Sequence, residues 1–276
     1  MAITASDVNK LRQMTGAGMM DCKNALVEAN GDFDMAIDIL RKKGQKIAAK
    51  RADRSSTEGR VVAKTNAEHT FAAVVVVGCE TDFVGKNADF VAFTESIIDA
   101  AMANKIKSLE ELKAMSINGV SIEEMIMEMT GKTGEKVEIP AYNCIEAPAV
   151  AAYNHNGNRL ATIVGLNKNS QAILEAGHNV AMQIAAMNPI SLNADLVPQA
   201  TIEHELEINR EIIRQEGKPE NMVEQIAKGK LNKFFKENTL LSQDYIKDNK
   251  LSVGDYLKQT DPELTATGFF RLQLGA

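Results

Sequence analysis

Apolar residues recur every three or four positions through the first fifty residues, which predicts helices. Thr4 or Ser6 can cap a helix carrying Val8, Leu11 and Met14 at that spacing. Thr15-Gly16-Ala17-Gly18 interrupts it, because two glycines so close favour a turn. Met19 to Ala29 resumes the pattern with Met19, Cys22, Ala25, Leu26 and Ala29 on one face, and Asn30-Gly31-Asp32 stops it. Phe33 to Lys43 makes a third helix with Phe33, Ile37 and Leu40 inward. The basic residues that follow, Arg41-Lys42-Lys43, Lys46, Lys50, Arg51 and Arg54, read as a solvated extension toward a linker at Ser55-Ser56-Thr57.

The period then changes to that of strands. Gly59 to Thr65 and Thr70 to Gly78 flank a turn at Asn66-Ala67-Glu68-His69, and Val74 to Val77 is the continuous β-branched run of a buried strand. A polar stretch, Glu80 to Asn87, leads into a helix with Phe90, Phe93, Ile97, Ile98 and Ala101 at helical spacing. The same order returns later. Ala149 to Tyr153 and Arg159 to Leu166 form a second hairpin, and a helix from about Ile173 to Met187 follows. AAVVVVG (Ala72–Gly78) lies on RLATIVG (Arg159–Gly165), and AAM (Ala100–Met102) on AAM (Ala185–Met187). This repeat of about 85 residues predicts two similar strand-strand-helix subdomains, longer than the units of solenoid proteins. Between the copies, Ser121-Ile122-Glu123-Glu124 is a capping box opening a helix expected to end at Gly131, and Val137 to Glu146 reads as a strand leading into the second copy.

Past Pro198 the chain turns helical and highly charged. Thr201 to Glu216 and Asn221 to Lys236 each carry one narrow apolar stripe, and Gly217-Lys218-Pro219 separates them. That is an antiparallel helical hairpin whose arms, about 16 residues each, would reach about 24 Å. A last strand is expected at Gly268 to Leu274, which alternates from Phe270 onward. The fold class predicted is α+β: a three-helix bundle over 1–55, a core subdomain over 56–140, and a second over 141–276 that includes the protruding hairpin at about 200–236.

Composition narrows the functional classes. The chain has 276 residues and a formal charge of −6, with 31 basic against 37 acidic side chains. An acidic balance argues for a protein partner over a nucleic acid bound through its phosphates. Cys22, Cys79 and Cys144 are odd in number and far apart, which suits a reducing compartment and makes no metal pair. The N-terminus has no apolar signal region, and Phe71–Cys79 is too short to span a membrane, so a cytoplasmic, non-membrane protein is expected. Several of the 13 methionines crowd Met14, Met19 and Met20, suited to core filling or to an adaptable interface.

No catalytic constellation emerges, and neither a metal site nor a cofactor is expected. Gly131-Lys132-Thr133 lacks the glycine a phosphate loop needs, since that position is Ile126. Gly16-Ala17-Gly18 has Asp21 in place of the third glycine of a dinucleotide fingerprint and follows a helix. His69, His155, His178 and His204 have no ligand spacing. One stretch resists a structural explanation: Thr81-Asp82-Phe83-Val84-Gly85-Lys86-Asn87, between a buried strand and an amphipathic helix. Either Thr81 or Asp82 caps the coming helix and Phe83 enters the core, or Phe83 is an exposed aromatic anchor beside a carboxylate.

Two of these texts carry a resemblance. Leu11-Arg12-Gln13-Met14-Thr15-Gly16-Ala17-Gly18-Met19-Met20-Asp21-Cys22-Lys23, with Ala25-Leu26 and Gly31-Asp32, resembles the first signature of the bacterial elongation factor Ts family. Thr81-Asp82-Phe83-Val84 resembles the second, and the likeness runs over essentially the whole chain to Thr267-Gly268-Phe269. The resemblance implies a guanine-nucleotide exchange factor for elongation factor Tu, met in its GDP-bound and nucleotide-free states. It implies a ubiquitin-associated-like N-terminal module that docks on the GTPase domain, through Leu11, Arg12, Thr15, Gly16, Ala17, Gly18 and Met19. It also implies that Thr81, Asp82, Phe83 and Val84 insert near the magnesium and nucleotide of the partner and dislodge Mg2+, with Phe83 as the intruding group. Two departures stand out. Family members often continue past the closing strand into a further helix, whereas this text ends at Ala276. Gly85 stands where alanine is common, which should loosen the turn. The competing readings are a ubiquitin-associated-type adaptor without exchange activity and a nucleotide-binding enzyme acting through Gly131-Lys132-Thr133.

Overall fold

A computed structural model describes residues 3–275. Three helices come first: α1 (Ala5–Thr15), α2 (Met19–Glu28) and α3 (Phe33–Lys50). Thr4 caps α1 in a full capping box with Asp7, and Gly16, at φ 65°, closes it in the left-handed conformation. Val8, Leu11, Cys22, Ala25, Leu26, Ala29 and Ala36 form their shared core. Two expected core positions turn outward, since Met14 and Met19 are both exposed. The third helix is longer than expected: it runs past Lys43 to Lys50, so most of the basic run is helical, with Arg51 and Arg54 beyond it in the turn that leads to the linker at Ser55–Thr57.

The middle of the chain supplies β1 (Glu58–Thr65), β2 (Phe71–Cys79), the one-turn helix α4 (Asp82–Gly85), α5 (Ala88–Ala103), α6 (Leu109–Ala114), the short hairpin β3 (Ser116–Ile117) and β4 (Val120–Ser121), and α7 (Ile122–Thr133). Then come β5 (Glu138–Glu146), β6 (Ala149–Asn154), β7 (Leu160–Leu166) and α8 (Gln171–Met187). The chain closes with α9 (Gln199–Gln215), α10 (Glu220–Asn238), β8 (Asp244–Tyr245), β9 (Asp248–Ser252), α11 (Val253–Thr260) and β10 (Ala266–Gln273). The fold is α+β, with small antiparallel sheets. Among the described residues, no helix is long and apolar enough to cross a membrane.

Two three-stranded sheets make the core, in the orders β1-β2-β5 and β10-β7-β6. They pack face to face through Val61, Ala63, Ala72, Val74, Val76, Val150, Ala161 and Ile163. The outer face of the first meets α5, α6 and α7 through Phe71, Val75, Val77, Phe90 and Ile97. The outer face of the second meets α8 and α11 through Val164, Leu166, Val180 and Leu257. Strand β2 is therefore covered on both sides, which is why its text is uninterrupted rather than alternating. Each fully buried large side chain of this kind, such as Phe71 or Phe90, contributes about 1.5–3 kcal/mol by removal from water.

Three expectations need correction. Strand β5 does not lead into the second copy; it pairs with β2 from Phe71↔Glu146 to Gly78↔Glu138 as the third strand of the first sheet. The division at 140/141 thus falls inside a strand. Helix α7 ends not at Gly131 but at Gly134, whose φ of 72° makes it the cap. Gly131 instead meets α3: a Cβ on it would stand 2.9 Å from the Gly44 Cα. Gly131-Lys132-Thr133 therefore lies in the last turn of a helix, where the dipole repels a phosphate.

The hairpin of α9 and α10 is held by Ile213, Val223 and Ala227 and by Arg210–Glu224, Arg214–Glu220 and Lys230–Glu216 pairs, with Lys218 exposed at the turn. Its base is fixed by two buried glutamines. Gln183 Nε2 donates to Gln243 Oε1 and to the Asp244 carbonyl, and Gln243 Nε2 donates to the Met187 and Glu237 carbonyls.

Candidate functional site: an exposed aromatic on a clasped turn

The β2–β5 ladder ends at Gly78 and Glu138. Beyond it the two chains part, and the segment Glu80–Asn87 crosses from the sheet to α5. Thr81 caps α4, and the Gly85 N–H reaches the Thr81 carbonyl at 3.2 Å. So Thr81 caps a separate one-turn helix, and Asn87, whose Oδ1 accepts from Asp89 N at 2.8 Å, caps the longer helix that follows. On this turn Val84 packs against the core and Phe83 does not: 83% of Phe83 is exposed. Of the two readings left open for Phe83, burial in the core is excluded. Asp82 pairs with Lys86 at 2.6 Å, and the hydrogen bond from Lys86 holds its carboxyl below the usual range.

Gly85 does not loosen the turn. Its backbone seats directly on β1, and a Cβ there would lie 3.1 Å from both the Cα and the carbonyl oxygen of Gly59. The thiol of Cys79 donates to the Thr81 carbonyl at 3.1 Å. Burial, followed by the nearby Glu135 carboxylate, pushes that thiol up to about 12, so it is an unreactive donor here.

Two carboxylates continue the pairing where the ladder stops. Glu135, in the loop between α7 and β5, accepts from Thr81 N at 3.0 Å and Thr81 Oγ1 at 2.7 Å. Glu80 accepts from Lys136 N at 2.7 Å and from Arg51 Nη1 at 2.8 Å on each oxygen. The hydrogen bond from Lys136 first, and that from Arg51 next, hold the Glu80 carboxyl below its ordinary value. Arg51 follows the last residue of α3, so the three-helix bundle is tied to this same turn. A second tie runs from α7. The ammonium of Lys132 bonds Asp89 at 2.7 Å and lies against Gly16 at the end of α1.

The bundle residues named from sequence divide by exposure. Leu11 is fully buried, so it shapes the bundle and offers no contact surface. Thr15 is half-buried and donates from Oγ1 to the Leu11 carbonyl at 2.8 Å. Gly16 and Ala17 are half-buried, whereas Arg12, Gly18 and Met19 are exposed. With Met14, Met20 and Met35 also exposed, the bundle displays an unusual number of methionines. Sequence reasoning missed Glu80, Arg51, Glu135 and Lys132. No local pattern marks them, because each acts on a segment remote in the chain.

An exposed aromatic on an anchored turn, flanked by an ion pair and tied to a bundle with exposed methionines, has the chemistry of a surface that another macromolecule covers, which fits the class of binding proteins. Comparison with known proteins identifies which kind. The family model described as Elongation factor TS matches residues 80–276. The chain is 52% identical over 273 residues to elongation factor Ts of Christiangramia forsetii, and 52% identical over 273 residues to that of Flavobacterium psychrophilum, covering 99% of each chain in both cases. It is 50% identical over 277 residues to elongation factor Ts of Amoebophilus asiaticus, with 100% of both chains covered. The chain belongs to the elongation factor Ts family.

Proposed function

We propose that this chain releases GDP from elongation factor Tu by placing the Thr81–Val84 turn against the partner's magnesium and nucleotide site. Family membership makes it an elongation factor of protein synthesis and a nucleotide exchange factor; the adaptor alternative has no support among the relatives. The observation that carries the mechanism is Phe83, 83% exposed at the apex of a turn whose other residues are anchored. A large apolar side chain held in water has unfavourable contacts to lose, and a pocket in a partner would cover it.

Magnesium ties nucleotide phosphates to a GTPase, so displacing its ligands weakens nucleotide binding. Exchange then needs only a factor that binds the empty GTPase more tightly than the loaded one, and by linkage the nucleotide weakens the factor by the same ratio. No general acid, base or resident cofactor enters such a scheme. Asp82 stands beside Phe83 as a carboxylate for polar contacts, while Thr81 and Val84 hold the turn. Arg12, Gly18 and Met19, with the exposed methionines, supply the face of the bundle that meets the GTPase domain. The partner is engaged both GDP-bound and empty, in the cytoplasm, without nucleic acid or membrane.

The domain reading goes with this. The three helices act as a ubiquitin-associated-like docking module. The two sheets are copies of one unit, supported by their shared plan: an antiparallel hairpin whose second strand is central, a helix after it, and a third strand added from later in the chain. Drawn this way, the first copy runs through Glu146.

Release of a fluorescent GDP analogue from elongation factor Tu, with and without the chain, tests the proposal. Phe83→Ala should slow the stimulated rate at least tenfold, roughly the value of a truncated interface anchor, with Tm unchanged. An unaltered rate would refute the role of the turn.

A further inference from the structure

We infer that Glu135 is the positioning residue of the Thr81–Val84 turn, setting the direction of Phe83 without itself meeting the partner. This rests on the exchange reading above. Helix α4 has only four residues, too few to persist on their own hydrogen bonds in water. Phe83 has no burial to hold it, so its place depends on what grips the rest of the turn.

Thr81 is the hinge of that grip. Its backbone N–H and its hydroxyl both point at the Glu135 carboxylate, at 3.0 and 2.7 Å. Hydrogen bonds to an ionised acceptor are about twice as strong as neutral ones. A hydroxyl has one proton. Given to Glu135, it leaves the lone pairs of Oγ1 toward Val84 N–H, the helix-capping contact at 3.5 Å. Glu135 thereby fixes the Thr81 rotamer that caps α4, and α4 presents Phe83. The β2–β5 ladder cannot do this, because it has ended at Gly78 and Glu138, and the β1–β2 ladder stops at Cys79, before Thr81. The reciprocal bond from Lys136 N to Glu80 keeps the Glu135 loop in place, so the carboxylate is itself held.

The test is the rate of fluorescent GDP release from elongation factor Tu over a range of concentrations of the full chain, with melting recorded for every variant. Glu135→Ala should lower the maximal rate about tenfold while the half-saturating concentration and Tm stay close to the parent. Glu135→Gln keeps the reach but only one of the two acceptor oxygens, without the charge, and should recover part of the rate. In a Thr81→Val background, which loses the hydroxyl bond but keeps the backbone N–H bond to Glu135, Glu135→Ala should cost less than it does in the parent, because one of the two bonds is already gone. An unchanged maximal rate for Glu135→Ala, measured where it is folded, overturns the inference. So does a loss that follows Tm alone and is not recovered by glutamine. Phe83→Ala, run beside these, separates the two claims. If it is slow while Glu135→Ala is not, only the positioning role falls. If Phe83→Ala matches the parent, the exchange reading falls first.

Discussion

Gly44→Ala offers a direct test of how the N-terminal bundle is held on the core. Helices α3 and α7 cross at Gly44 and Gly131. A Cβ on Gly44 would stand 2.9 Å from the Met127 carbonyl oxygen and 3.5 Å from the Gly131 Cα. Relaxed contact distances are about 3.5–4.0 Å, so the helices must part by at least about 0.6 Å at that contact. The obstacle is backbone, which no rotamer change can move. Working the other way, alanine gains about 1 kcal/mol over glycine in a helix interior. Overpacking costs about 1–3 kcal/mol, and the upper part applies against a rigid neighbour. The net expectation is a loss of about 1–2 kcal/mol, felt first at the α3–α7 junction, which also carries the Arg41–Glu128 pair at 3.2 Å. Hydrogen exchange followed by mass spectrometry should show lost protection in α3 and α7, with faster cleavage at Ser55–Thr57 and a lower Tm. Gly131→Ala should act in the same direction, and the pair should be less than additive because both open one crossing. A gain in stability of about 1 kcal/mol for Gly44→Ala would show that propensity alone governs the site and would refute the close crossing.

Other expectations concern the support of the turn. Gly59, at φ 129°, has the Val77 carbonyl where a Cβ would go, and Gly85 seats on its backbone. Gly59→Ala should therefore cost more than about 3 kcal/mol, and a thermal melt matching the parent would contradict this. The depressed Glu80 carboxyl makes the Arg51–Glu80 tie an acid-sensitive one. Its unfolded form binds a proton near the ordinary value of 4.5, and its folded form only at lower pH. Its stabilisation is thus present above 4.5 and fades as pH falls through the folded value. Glu80→Gln should flatten that part of the acid-melting profile, and an unchanged acid limb would argue against the tie.

What could be read from the amino-acid text was what neighbouring residues decide among themselves. Thr4 or Ser6, of which the structure uses Thr4, and Ser121 announce capped helices because a cap is a contact over three residues. The apolar run of β2 announces a strand covered on both faces, and Gly217-Lys218-Pro219 a helical hairpin, because period and turn chemistry are local. The two signature texts pointed to the family for the same reason: they are contiguous.

Exposure and partnership were settled elsewhere in the chain. Nothing near Phe83 distinguishes a core aromatic from an anchor. It is exposed because Val84 takes the inward place and Gly59 lets the turn sit low on β1. Met14 and Met19 have helical spacing like their buried neighbours, yet three short helices have room inside for only one side of each. Gly131 suits a helix end by type, but Gly44, brought opposite it by the fold, makes it a crossing point. Strand β5 has no mark saying which sheet it joins; pairing with β2 is a choice between surfaces. The carboxylates of Glu80 and Glu135 become a clasp only where the ladder between β2 and β5 runs out. Caps, periods and turns are written within a few residues of chain, while burial and positioning are properties of pairs that folding brings together.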